Sequence, residues 1–109
     1  MNSFLKNTLF IGILFISNAI SAQKSTQVYG QVVDQQTGSP VPFATIALIS
    51  SSTSKTFTGA TTAEYGTFII NTDSTKFIVE INFMGYEKLQ LSEFNREKGK
   101  INLGVLKLA

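Results

Sequence analysis

The chain has 109 residues, with nine basic and seven acidic side chains, a formal net charge of +2, and no cysteine, histidine or tryptophan. These absences exclude disulfides, thiolate metal sites, a cysteine nucleophile and the base and metal ligand that histidine supplies near neutral pH. The small charge surplus gives no electrostatic ground for expecting nucleic acid or an anionic lipid surface as partner.

Met1 to Ala22 reads as a signal peptide. Lys6 supplies the positive start, Leu9 to Ile16 the apolar run, and Ser17 to Ala22 the small, polar approach to a cleavage point. An apolar run of eight falls well short of the roughly 20 residues that a spanning helix needs. No cysteine follows, so the lipoprotein route is closed. Cleavage after Ala22 leaves residues 23–109 as one small domain without a membrane span of its own. Removing Lys6 with the leader leaves eight basic against seven acidic side chains. Export to the periplasm or the outer membrane is the expected location.

From Gln23 onward the chain is punctuated like an all-β domain. Gln27 to Val33 alternates, with Val28, Gly30 and Val32 on one face and Tyr29 and Val33 on the other. Asp34 to Pro40 is a turn cluster, in which Gly38 is free to take positive φ and Pro40 ends ladder pairing. Pro42 opens a second strand, Phe43 to Ile49, apolar on both faces as a covered strand is. Ser50 to Ser54 is a polar loop, and Lys55 to Thr58 a short strand with Phe57 inward. Thr61 to Tyr65 turns, Gly66 punctuates, and Thr67 to Ile70 is a strand. Asn71 to Thr75 turns again. Lys76 to Met84 alternates most clearly, with Phe77, Val79, Ile81 and Phe83 on one face. Gly85 interrupts this strand as a bulge or bend, and Tyr86 to Leu91 continues it. Ser92 to Lys100 is a charged loop with room for one helical turn, and Ile101 to Leu108 is the last strand. About seven short strands with Gly and Pro at the joints predict an antiparallel β-sandwich.

Catalytic and ligand-binding chemistry finds little purchase. A Ser or Thr nucleophile needs a base within hydrogen-bond reach, and without histidine only scattered lysines and carboxylates remain. Ser50, Ser51, Ser52 and Ser54 form a loop by composition. Glu80 and Glu87 are the only acidic residues near a strong strand, and both are read as solvent-facing. Asn71 to Thr75 superficially offers oxygens at alternating positions for calcium, but lacks a second carboxylate. Asn95 to Lys100 is too short and balanced to grip nucleic acid. No cofactor, metal site or enzymatic activity is expected.

Five short motifs in order resemble the carboxypeptidase regulatory-like domain, a transthyretin-like sandwich found at the N-terminus of Bacteroidetes TonB-dependent outer-membrane receptors. Gly30-Gln31-Val32-Val33-Asp34 matches its opening strand and turn, and Thr37 to Ala44 its T-G-x-P turn into the second strand. Gly66-Thr67-Phe68, Gly85-Tyr86 and Leu103 to Leu108 complete the match, over about Val28 to Leu108. One departure is Ala63, where the family usually has an Asp that caps the turn. The resemblance implies a single Greek-key sandwich of about seven strands and a non-catalytic accessory module. It implies an envelope protein as partner, in the form of a TonB-dependent receptor or barrel. Alternatives are the N-terminal fragment of such a receptor, acting in nutrient transport, and a carbohydrate-binding module, the latter against the lack of tryptophan. An exposed strand edge could also support a weak strand-mediated dimer.

The motif residues Gly30, Asp34, Gly38, Pro40, Gly66, Phe68, Gly85 and Tyr86 are read as structural. The glycines suit positive φ or close backbone approach. Asp34 suits a turn hydrogen bond, and Tyr86 a packed ring with its hydroxyl at the edge. Phe43, Phe57, Phe68, Phe77 and Phe83 are core candidates.

Overall fold

The computed structural model describes residues 25–97 and 99–109. The expected leader, Met1 to Ala22, lies outside the described residues. Seven strands build two packed sheets: β1 (Thr26–Asp34), β2 (Thr45–Ser50), β3 (Thr56–Thr61), β4 (Thr67–Thr72), β5 (Phe77–Asn82), β6 (Leu89–Leu91) and β7 (Lys100–Leu108). One sheet has the order β4-β1-β7 and the other β3-β2-β5-β6. All pairs are antiparallel except β1–β7, where the first and last strands run parallel. A parallel pair needs a long crossover, and here the whole intervening domain supplies it.

The period-2 pattern decides which side chains meet between the sheets. Val28 and Val32 of β1, Phe68 and Ile70 of β4, and Ile101, Leu106 and Leu108 of β7 face Ile46 and Leu48 of β2 and Phe77, Val79 and Ile81 of β5. β7 contributes from both parities because its alternation is broken. Tyr29 pairs with Asn102 and Gln31 with Val105, so Leu103 and Gly104 of β7 together oppose the single Gly30 of β1. Gly104, at φ +71, makes this bulge possible, and Asn102 Oδ1 accepts its N–H at 2.9 Å. Ile101 before the bulge and Leu106 after it thereby point the same way.

Several details differ from the sequence expectation. Phe43 is not the first residue of a covered strand. It sits in a turn at φ +64 with 71% of its surface exposed, and β2 starts at Thr45. The Pro42-Phe43 step turns the chain because Thr62 holds the backbone on both sides of it. Phe57 is not inward: it is 43% exposed and reaches the core only by an edge-on contact with Phe77, on a β3 that runs on to Thr61. Gly85 does not interrupt a continuing strand. Tyr86 N–H bonds the Phe83 carbonyl across it, φ is +92, and the chain reverses so that β6 pairs back on β5. That geometry is a type II turn with Met84 at its first central position. Glu80 is not solvent-facing either, since Lys88 (3.2 Å) and Gln90 (3.2 Å) cover its carboxylate.

The charged segment after β6 forms a loop without helix among its described residues. Arg96 fastens it to the sandwich. Its guanidinium donates to the carbonyls of Thr75, Phe77 and Ser92 and lies 3.9 Å over the Phe94 ring. An arginine in that position satisfies carbonyls at the start of β5 that would otherwise be left to water.

Candidate functional site

The motif residues gather toward one end of the sandwich, where β1 and β7 finish and β2, β4 and β6 begin. Three segments meet there around a cleft of about 450 Å³: Asp34 to Gln36, Gly85-Tyr86, and Leu108-Ala109. Backbone bonds tie them. Gln35 N–H donates to the Leu108 carbonyl at 2.9 Å and Glu87 N–H to the Ala109 carbonyl at 2.8 Å.

Asp34 and Tyr86, 52 positions apart, form the polar centre. Asp34 Oδ1 accepts the N–H groups of Gln36 (2.8 Å) and Thr37 (3.0 Å), and Oδ2 accepts the Tyr86 hydroxyl at 2.8 Å. The Tyr86 ring lies beside Phe83, with centroids 6.2 Å apart. The Thr37 N–H, the Tyr86 hydroxyl and the Gln36 N–H hold the Asp34 carboxyl below the usual carboxylate range. The same carboxylate, with some burial, pushes the Tyr86 hydroxyl above the usual phenol value. Both shifts lead away from neutrality. A general base or acid is useful when its pKa approaches the working pH, so this pair is poised as a clasp between two turns and not as a proton-transfer dyad.

The other motif residues surround the clasp in different ways. Gly38 (φ +75) closes the turn that Asp34 caps, its N–H bonding the Asp34 carbonyl. Pro40 forms an isolated bridge with Val33, and pairing continues past it because Val41 N–H bonds the Val32 carbonyl. Gly66 is buried at φ +76, and a Cβ there would overlap the Val32 carbonyl oxygen and crowd Val41 N at 3.2 Å. Phe68 fills the space that Gly30 leaves: a Cβ at Gly30 would stand 3.2 Å from its ring and 2.9 Å from the Gly104 carbonyl oxygen. Ala63 closes its turn with backbone alone, its carbonyl accepting Gly66 N–H and its N–H bonding the Thr67 carbonyl.

Thr62 went unnoticed in the sequence. It is 2% exposed, donates its hydroxyl to the Val41 carbonyl at 2.7 Å and accepts Ala44 N–H at 2.9 Å. Its own backbone pairs with Phe43 and Ala44. No local pattern marks it, since its partners lie 18 and 21 positions away. Among the described residues no group of three or more carboxylates could hold a metal ion.

A model of the CarboxypepD_reg-like domain matches residues 28–107. No curated protein matches the chain. Among solved structures, the chain is similar to a 9R-lipoxygenase from Cyanothece PCC8801 (TM-score 0.59, 11% identity, 81% of this chain and 17% of that one). It is similar also to a 3-chlorocatechol 1,2-dioxygenase from Rhodococcus opacus 1CP (TM-score 0.55, 12% identity, 81% of this chain and 61% of that one). A third likeness is to a group B streptococcus pilus 2b backbone protein (TM-score 0.50, 12% identity, 75% of this chain and 40% of that one). This chain thus spans less than two thirds of each of these proteins, and at such identities the likeness is one of fold alone.

Proposed function

The chain belongs to the CarboxypepD_reg-like domain family, a family of regulatory, non-catalytic β-sandwich modules, and from that premise we propose that it is an accessory module of the bacterial cell envelope. Its work is to hold another protein, in or beside an outer-membrane uptake system. The observation that carries this reading is that the family match spans the sandwich from β1 to β7. The polar centre supports it: the Asp34 and Tyr86 side chains are spent on joining turns. Loops that converge at one end of a rigid frame are a common place for binding residues.

The same reading has two forms, a free-standing protein and the head of a TonB-dependent receptor. Fractionating the envelope of cells that make the protein, and weighing the native polypeptide, separates them. A periplasmic species beginning at Gln23 means a free-standing module. A species several times larger in the outer membrane means the head of a receptor, with uptake as the function. A cytoplasmic species that retains Met1 contradicts the envelope reading altogether.

A further inference from the structure

Two sheets leave four edge strands, β4 and β7 in one and β3 and β6 in the other. A free edge invites pairing with another strand, and proteins guard it with charge, bulges, glycine or shortness. β7 has the Gly104 bulge and exposed Lys100 and Lys107. β6 is three residues long, beside the ion pair of Lys88 and Glu80. β3 shifts register at Leu48–Ile49 and carries Gly59, where a Cβ would overlap the Ile46 carbonyl oxygen. β4, Thr67-Phe68-Ile69-Ile70-Asn71-Thr72, has no charge, glycine or proline and pairs with β1 without a register shift. Among the described edges it is the unguarded one.

Hydrogen bonds show which of its backbone groups are free. Val32 N–H donates to the Gly66 carbonyl at 2.8 Å, at the head of the β1–β4 ladder. Antiparallel strands bond at every second residue. Phe68, Ile70 and Thr72 therefore use their backbone groups on β1, while Thr67, Ile69 and Asn71 aim theirs away from it. The Thr67 carbonyl obeys this parity, since it accepts Ala63 N–H at 2.8 Å from the turn before β4. Among the described residues, the Thr67 N–H and both groups of Ile69 and Asn71 have no backbone partner.

This set is its own complement. A two-fold axis through Ile69 lays β4 antiparallel on β4 of a second copy. Each Ile69 N–H then meets the Ile69 carbonyl of the other copy, and each Thr67 N–H meets the other's Asn71 carbonyl. The side chains agree with that register. Ile69 lies opposite Ile69 on the outer face and Phe68 opposite Ile70 on the inner, so apolar meets apolar on both. In the single chain Ile69 is 62% exposed, beside the half-buried Tyr29 with which it pairs. A lone exposed isoleucine is ordinary, but this one stands where the axis would cover it.

We infer that β4 pairs with β4 of a second copy, joining two three-stranded sheets into one with the order β7-β1-β4-β4-β1-β7 and closed two-fold symmetry. The pairing uses none of the clasp residues Asp34, Gly85 and Tyr86, so it can fail without touching the accessory role proposed above. Sedimentation equilibrium of the purified protein should show monomer and dimer exchanging between micromolar and millimolar concentration. Ile69→Lys sets like charges face to face on the axis and should weaken the dimer about tenfold or more, with an unchanged circular dichroism spectrum. Because the chain has no cysteine, Ile69→Cys carries a single thiol. Mild oxidation should link it into a disulfide dimer. Val105→Cys, on the same outer face and 58% exposed but on β7, should link far more slowly. A protein that stays monomeric at millimolar concentration overturns the β4 pairing. So does a dimer that survives Ile69→Lys, or one that links faster through Val105→Cys. In intact envelopes, a thiol–amine cross-linker that joins the Ile69→Cys variant to a different protein and to no second copy gives the edge to a foreign strand and overturns the dimer.

Discussion

At Asp34 one carboxylate answers three donors, and the consequence is a pH window with two edges. The folded pKa of Asp34 lies below its unfolded value. Its contribution to stability is therefore complete above about pH 4 and lost as pH falls through the folded pKa. The folded pKa of Tyr86 is raised. Its contribution is complete below about pH 10 and lost as pH rises through the higher folded value. Melting temperatures of the parent, Asp34→Asn, Tyr86→Phe and the double variant should show coupling at neutral pH that fades in acid. Additive effects at every pH would mean that the clasp contributes nothing. Thr62 offers a second residue-level test. Thr62→Val keeps the shape but strands the Ala44 N–H and the Val41 carbonyl in a buried site. About 1–3 kcal/mol of stability should be lost in urea unfolding. Neither residue's role was legible beforehand in full. The turn-capping part of Asp34 is local and reads from the Asp-x-x-x-Gly spacing of Asp34 and Gly38, whereas its contact with Tyr86 crosses 52 positions and leaves no local trace.

Strands were legible to the extent that alternation and punctuation agree. Val28 and Val32, or Phe77, Val79 and Ile81, name their buried faces at once, and all five are fully buried. The reading failed where one residue type serves two geometries. Gly85 suits a bulge and a reversal equally, and only the pairing of Leu89 with Ile81 decides for the reversal. Phe43 continues the apolar run of β2 on paper, but tertiary bonds to Thr62 turn it outward. In β7 the change of inward parity between Ile101 and Leu106 is the trace of the Gly104 bulge. A single deletion of Gly104 would force Ile101 or the Leu106–Leu108 pair outward, because a one-residue slip flips every side chain. Loss of the cooperative thermal transition is the expected result. On β5, Phe77→Ala should cost about 3–5 kcal/mol in denaturant unfolding, since Phe77 is fully buried and also supports Phe57 and Phe94.

For the whole molecule, the parallel β1–β7 pair joins the two ends of the sandwich chain. The central sheet contact therefore forms between segments some 70 residues apart, as in Val28 with Ile101. A chain cut after Gly99 would leave β1 without its parallel partner and the core without Ile101, Leu106 and Leu108. It should remain unfolded by circular dichroism. The sequence made the class of fold plain, because short strands between Gly and Pro admit few other architectures. It left the clasp end dark, because Asp34 and Tyr86 lie 52 positions apart and only the fold joins them. The central claim is that this module holds another envelope protein. Cross-linking in intact envelopes from cells that make the protein, with mass spectrometry of the joined peptides, tests it most directly. The account predicts reproducible links from the clasp-end loops to one outer-membrane protein, or to the barrel portion of a longer chain that contains these residues. Links only between copies of this chain, or none above the level of an unrelated periplasmic protein, would contradict it.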